Sequence, residues 1–264
     1  MSCLPSHGQV SCSRCYFDPA PRFDETTRIE GEWRITANPL SWGNTNPEVI
    51  VLGFSKGPTQ AGALASTPHD QIAYKGGRLN VGKILAHIEL IPTDSPDGLK
   101  TRINSLIANN TGRFHFASLV RCTVERFDQK SSSWKGSGGG ILDKFVATPF
   151  GASVASNCTT AFLHDLPIET RLVVMFGLGS KLNYVASAYE LFRRVRPGSW
   201  RKINQVSYTD GRITVVHVEH FAAQGALIPN WLGENDHARS HLGGLAQSGV
   251  KASGVDCQNL CQST

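Results

Sequence analysis

Four stretches of the chain are apolar and rich in β-branched residues, without the strict alternation of a half-exposed strand: Glu48–Gly53 (EVIVLG), Phe114–Val120 (FHFASLV), Arg171–Phe176 (RLVVMF) and Arg212–Val218 (RITVVHV). Continuous apolar runs of this length fit strands of a parallel sheet covered on both faces. Between them, Leu79–Leu90, Gly98–Ala108, Thr159–Leu166 and Lys181–Val195 carry helical spacing. In the last of these, Leu182, Val185, Ala186, Tyr189 and Phe192 share a face, while Arg193, Arg194 and Arg196 gather at the end where the helix dipole favours cations. Alternating strands and helices predict one α/β layered domain with right-handed crossovers, its functional loops following the strand C-termini. Two stretches break the pattern. Gln129–Gly140 (QKSSSWKGSGGG) is polar and glycine-rich and reads as a mobile surface loop. The small, polar tail after Gly243 reads as a flexible extension, so residues 1–242 are expected to form the domain and 243–264 to lie outside it.

Composition narrows the class. The chain has 264 residues, 40% hydrophobic and 18% charged, which excludes a disordered, collagenous or coiled-coil protein. Lys and Arg total 26 against 21 Asp and Glu, a surplus of +5 that is compatible with a polyanionic partner. No apolar run is long enough to span a bilayer, and Met1–Val10 lacks the basic and apolar segments of a secretory leader. A monomeric protein of the cytoplasm or nucleoid, with no membrane partner, is the expectation. The cysteine count changes the picture more. Seven is an odd number, and in a reducing compartment a cysteine cluster more often holds a metal than forms disulfides.

Cys12 and Cys15 form a C-x-x-C pair, Cys122 ends the second expected strand, and Cys158 opens the third expected helix. Four thiolates meeting there suit tetrahedral zinc or an iron–sulfur cluster, the alternative being that Cys122 and Cys158 are small core residues. No second C-x-x-C of a zinc ribbon is present; Cys3, Cys257 and Cys261 fall outside the set. The loop Gly53-Phe54-Ser55-Lys56-Gly57-Pro58 lets the backbone approach a ligand, yet it lacks the G-K-[ST] ending of a P-loop. Gly76–Gly82 leads into the first helix, and the fourth strand ends in His217-Val218-Glu219-His220-Phe221. His217 reads as a core histidine; His220 stands where a functional loop begins.

In order, these features resemble the uracil-DNA glycosylase superfamily, nearest its iron–sulfur members. The likeness runs from Cys12 to about Leu232: the early C-x-x-C, a V-L-G-x-x-x-G strand and loop, and a G-R-x-x-V-G helix start. Then come Leu119-Val120-Arg121-Cys122, a helix carrying Cys158-Thr159-Thr160-Ala161-Phe162-Leu163, the glycine turn Met175-Phe176-Gly177-Leu178-Gly179, and a strand ending at His220. The resemblance implies a three-layer α/β/α sandwich around a central, mainly parallel four-stranded sheet. It also implies a 4Fe–4S cluster on Cys12, Cys15, Cys122 and Cys158, with zinc as the alternative. The implied activity is monofunctional hydrolysis of the N-glycosidic bond of uracil, or another deaminated base, in damaged DNA during base-excision repair. The resemblance further implies that the nucleotide would be flipped into a pocket formed by Gly53, Phe54 and Gly57, where a neutral His220 would stabilise the departing base. Gln224 and Leu227, in the loop after His220, would enter the gap in the duplex. Lys56, Arg78, Lys83 and Lys181 are candidate phosphate contacts.

The chain departs from the family at the water-activating position. Family members carry an acid or amide after the first strand, where this chain reads Gly53-Phe54-Ser55-Lys56-Gly57. The stacking phenylalanine of the helix start falls on Asn80, and His-Pro-Ser is replaced by His220-Phe221-Ala222. Phe54 is the candidate for stacking, and Asp70, in the insertion Thr59–Gly76, for the displaced carboxylate; Ser55 and Asn80 are further candidates for holding water. Two other readings follow from the same residues. One is a non-catalytic nucleic-acid-binding homologue that has lost the water-activating group; the other is an unrelated iron–sulfur or zinc enzyme acting on small nucleotides.

Overall fold

A computed structural model describes residues 3–136 and 141–255. In chain order the strands are β1 (Gly8–Gln9), β2 (Thr27–Glu30), β3 (Trp33–Thr36), β4 (Leu40–Gly43), β5 (Val49–Ser55), β6 (Phe114–Val120), β7 (Thr123–Asp128), β8 (Ser133–Gly136), β9 (Leu172–Phe176), β10 (Arg201–Asn204), β11 (Ser207–Thr209) and β12 (Thr214–Val218). The helices are α1 (Pro58–Ala61), α2 (His69–Ile72), α3 (Arg78–His87), α4 (Pro96–Ala108), α5 (Ile141–Val146), α6 (Pro149–Leu163), α7 (Asn183–Val195), α8 (Leu227–Leu232) and α9 (Ser240–Ala252). None of them is long and apolar enough to cross a membrane.

The four apolar runs are strands, and they lie side by side in the order β6-β5-β9-β12, all parallel. Val49, Ile50, Val51 and Leu52 of β5 pair on one side with β6 and on the other with β9, and all four are fully buried. Buried faces on both sides are why these runs lack alternation. The sheet extends beyond this core to eight strands, because β4 and β1 add antiparallel at one edge and β11 and β10 at the other. Parallel strands must return through crossovers, so the ends of β5, β6, β9 and β12 all emerge on one side. The chain order reverses direction beside β5, the point at which open α/β sheets form their crevice, here between the loops after β5 and β9.

Three expectations are corrected. Residues 129–136 are not a mobile loop: Ser133–Gly136 is β8, hydrogen-bonded to β7 in a second sheet of order β2-β3-β7-β8. Trp134 packs edge-on against Phe127 at 5.3 Å and lies under the Arg34 guanidinium at 4.6 Å, which gives this polar strand its anchorage. The rest of the glycine run, 137–140, lies outside the described residues, as does the tail from 256 with Cys257 and Cys261. Residues 243–252 are not an extension either. They form most of α9, whose small residues let it lie close to β11 and β12. A β-carbon on Gly249 would meet Ser207 Cβ at 2.8 Å and Val216 Cγ2 at 3.0 Å. Finally, α6 begins well before Cys158. Thr148 Oγ1 accepts the Gly151 N–H at 3.0 Å and Pro149 follows, a cap and first-turn proline that set the start, so Cys158 lies inside the helix.

Two buried histidines couple the fold to pH. His217 lies between the Gly177 carbonyl (Nδ1, 3.1 Å) and the Tyr208 hydroxyl (Nε2, 3.2 Å), as expected of a core histidine. His115 donates Nδ1–H to the Asn44 carbonyl at 2.9 Å. Burial pushes His217 down to about 4 and His115 to about 3. Both stay neutral in the fold, whereas the unfolded chain takes up protons below the ordinary histidine value of about 6.5, so stability falls as pH drops through that range. At pH 5 the two sites are expected to cost roughly 4 kcal/mol together. Urea unfolding at pH 7 and pH 5 measures the loss, and His217→Gln is expected to reduce it by about half.

Candidate functional site

The cysteines occupy one corner of the molecule. Cys15, Cys122 and Cys158 are buried, Cys12 is half-buried, and Cys3 is exposed. The N-terminal turn is held against α6 by Asn157, whose Nδ2 donates to the Arg14 carbonyl at 3.2 Å and reaches Cys15 Sγ at 3.6 Å. Arg28 ties the same turn from below through the Cys15 carbonyl at 3.0 Å. Cys158 donates to Cys15, which lowers the Cys15 thiol to about 7, with Asn157, Arg28 and Arg14 adding to the effect. Burial pushes the Cys122 thiol up. The Tyr16 hydroxyl faces Cys122 and lies near Cys15 and Cys158, and it is a buried oxygen with no regular hydrogen-bond partner.

Two cations stand against these thiols. Lys56, only 2% exposed, donates from Nζ to the Asn38 carbonyl at 2.7 Å and to the Arg121 carbonyl. Arg121, also 2% exposed, has its guanidinium over the Phe162 ring at 4.2 Å. Burial lowers Lys56 to about 8 and Arg121 to about 10, and the nearby sulfurs of Cys122 and Cys158 oppose this for Lys56. Among the described residues neither cation makes an ion pair. A buried charge without a partner costs several kcal/mol, and what meets these two cations is backbone carbonyls and the Phe162 ring. Lys56 is therefore not a phosphate contact. The thiols are more widely spread than a single zinc requires. Sulfurs around one zinc stand about 3.8 Å apart, but among the described residues no three cysteines bring their sulfurs within 4.8 Å of one another.

The second assembly lies at the crevice beside β5. The Phe54 and Tyr184 rings pack at 5.1 Å across it. Gly177 (φ 110°), in the turn after β9, lies between Tyr184 and His220. His220 caps β12: its Nδ1 accepts the Ala222 N–H at 3.1 Å, so Nε2 carries the proton. Burial lowers the His220 pKa below the ordinary histidine value, against the pull of Glu219, so the ring is neutral at pH 7. Glu219 is itself buried, and its carboxylate accepts the His220 N–H at 2.9 Å and the Arg239 Nε–H at 2.5 Å.

The expected site residues fare unevenly. Phe54 is 3% exposed and packed on Tyr184, so it presents no open stacking face; the aromatic ring on His220 is Phe221, stacked at 4.6 Å. Phe221 also meets Tyr74 and Phe176 edge-on, and Gly77 makes room for it, since a β-carbon there would fall 2.5 Å from the ring. Asn80 donates Nδ2–H to the Phe221 carbonyl at 2.9 Å, which ties α3 to the His220 loop rather than reading a base. Ser55 ends β5 beside the crevice, Gly53 is in ordinary contact with its neighbours, and Gly57 faces open space. Gln224 is exposed in the loop after His220, and Leu227 is exposed at the first position of α8. Arg78 is turned inward, onto the Ala73 and Asp70 carbonyls, and Lys83 pairs with Glu234 at 3.6 Å.

Asp70 is not the carboxylate of the crevice. Its Oδ1 stands 2.8 Å from His7 Nε2 at the β1–β4 edge, because α2 packs its backbone against Trp42 there. The acid that approaches the crevice is Asp143 of α5, which accepts from the Tyr184 hydroxyl; burial and this carboxylate raise Tyr184 to about 12. Nothing local to Asp143 or Tyr184 in the sequence points to this contact.

Removing the Arg239 guanidinium leaves the Glu219 carboxylate buried and unpaired. Arg239→Met is expected to destabilise the fold by about 3 kcal/mol, read by urea unfolding, and to raise the His220 pKa, read by NMR titration of its ring. No protein-family model matches the chain, and no curated protein matches it in sequence.

Proposed function

We propose that this protein is a monofunctional DNA glycosylase of the uracil-DNA glycosylase type, built as a three-layer α/β/α sandwich and acting on uracil or another deaminated base. The observation that carries this reading is His220. It is a neutral imidazole with its Nε2–H free to donate, held at the end of β12 beside a crevice where the strand order reverses. Hydrolysis of an N-glycosidic bond leaves negative charge on the departing base, and a neutral N–H donor aimed at its oxygen stabilises that charge without giving up a proton. Gly57 faces open space in the loop after β5, so the backbone there is accessible to a flipped nucleotide. Asp143, held by the Tyr184 hydroxyl, is the carboxylate that orients the attacking water, with Ser55 at the opposite wall. No lysine serves as a Schiff-base nucleophile in this reading, because Lys56 is committed to two backbone carbonyls. Exposed Gln224, in the loop after His220, and exposed Leu227, at the start of α8, fill the gap left by the flipped nucleotide.

The same reading assigns Cys12, Cys15, Cys122 and Cys158 to a 4Fe–4S cluster, whose net negative charge is offset by Lys56 and Arg121. The cluster's part is structural: it fastens the N-terminal turn to the end of β6 and to α6. Purified protein is expected to contain iron and acid-labile sulfide, to lose both in Cys122→Ala, and to retain less of both in Lys56→Met. Protein without iron, or iron content indifferent to both changes, removes the cluster from the proposal.

Single-turnover excision from uracil-, hypoxanthine- and xanthine-containing DNA tests the chemistry. His220→Ala and Asp143→Asn are each expected to slow excision by about 100-fold or more. Release of no base from any of the three substrates by the iron-loaded protein overturns the catalytic reading. A specific observation favours the non-catalytic alternative in that case. Phe221 and Phe54 already fill the aromatic wall of the crevice, and no acid stands in the loop after β5. Such a binder retards DNA in a gel, in a salt-sensitive way, while releasing nothing.

A further inference from the structure

The edge of the large sheet away from the crevice carries a second constellation that the proposed activity does not use. His7 immediately precedes β1, and His69 and Asp70 open α2. One ligand atom from each of the three lies within 4.8 Å of the others, the only such group of histidine, cysteine and acid side chains among the described residues. We propose that His7, His69 and Asp70 form a binding site for a divalent transition-metal ion, zinc being the best match to two imidazoles and one carboxylate.

The surroundings of each ligand support this. His69 Nε2 is hydrogen-bonded to the Ser41 carbonyl at 3.0 Å, which fixes the ring and leaves Nδ1 as the ligating nitrogen. A ligating histidine whose other nitrogen donates to a backbone carbonyl is the usual outer-shell arrangement of metal sites. The His69 ring is further immobilised by stacking on Trp42 at 4.9 Å, and Trp42 Nε1–H donates to the His69 carbonyl at 2.8 Å. Asp70 Oδ1 is buried and, although 2.8 Å from His7 Nε2, has no hydrogen bond of regular geometry. Two donor atoms thus stand close together without bonding each other well, as they do when both point at a shared ion. His7 Nδ1 accepts the Gly43 N–H at 3.3 Å. Ligation through His7 Nε2 moves the ring proton to Nδ1 and gives up this one long bond, with no net release of a proton from that ring.

Three protein ligands leave at least one coordination position open, the arrangement of zinc sites that hold a water or an exogenous ligand. A cleft of about 300 Å³ adjoins the triad, sharing His69 and walled by Phe23, Leu40, Leu64 and Ile72. A small ligand with an apolar body and an anionic or carbonyl head suits that combination. The site is independent of the glycosylase reading: its ligands include neither the thiols nor any crevice residue.

Cobalt(II) is the probe, because its spectrum reports ligand type. Calorimetric titration of Co²⁺ into the purified full-length protein is expected to show one site, weakened at least tenfold by His69→Ala and by the near-isosteric Asp70→Asn. The cobalt difference spectrum should show visible d–d bands without an intense thiolate charge-transfer band, which separates this site from the cysteines. No binding to the wild-type protein, binding unchanged in both variants, or a thiolate-type spectrum each overturns the proposal. Should a variant fail to fold, the wild-type spectrum alone decides between nitrogen–oxygen and sulfur ligation.

Discussion

Lys56 and Arg121 carry charge into the interior, and their side chains are met there by backbone carbonyls, an aromatic ring and sulfur rather than by carboxylates. Such an arrangement is costly unless the polar partners are fixed in place. Each partner comes from a different part of the chain: Asn38 precedes β4, Arg121 and Cys122 follow β6, Cys15 lies in the N-terminal turn, and Cys158 lies within α6. Asn38 illustrates the density of the network, since its Oδ1 accepts from both the N–H and the hydroxyl of Thr123 while its Nδ2 donates to Asp24. The loop after β5 therefore has its lysine drawn inward, and the residues before it, Phe54 and Ser55, are left to form the crevice wall. The position of the crevice depends on this buried corner.

The parts of the fold legible in the sequence were those with one dominant force. The central strands are largely apolar runs because burial on both faces admits a polar residue only where it finds a hydrogen-bond partner, as His115 and His217 do, and that signal needs no tertiary information. The second sheet was illegible for the opposite reason. Its strands are short and charged: Arg34 and Glu125 pair across β3 and β7, and Arg126 reaches Glu32, so the stabilising contacts are cross-strand and invisible in a linear reading. In α9 the apolar stripe is built partly from Gly243, Ala246 and Gly249, whose value lies in close approach rather than in hydrophobicity, and small residues in sequence look like a loop.

The candidate site divides along the same line. His220 was legible because a histidine at the end of an apolar strand has a defined place in a parallel sheet. Phe221 is adjacent to it in sequence, but its burial among Tyr74, Phe176 and Gly77 depends on three other elements. Asp70 lies close along the chain to the loop after β5, yet its side chain meets His7, which is brought there by β1 pairing with β4. Asp143 reaches the crevice from a helix separated by many residues from every other member of the site, through a single contact with Tyr184.

The sequence separation within the buried corner has a consequence for the order of assembly. Pairing of β3 with β7, and of the Cys15 turn with α6, closes loops of around a hundred residues or more, contacts that are slow to form because their closure entropy comes first. A chain emerging from its N-terminus can complete β4, β5 and β6 while Lys56 and Arg121 are still hydrated. Only when α6 has been made does the last wall arrive, and the two cations are then desolvated together with the sulfurs. Until then the N-terminal turn has no surface to fold against, which makes α6 the step that commits the earlier half of the chain.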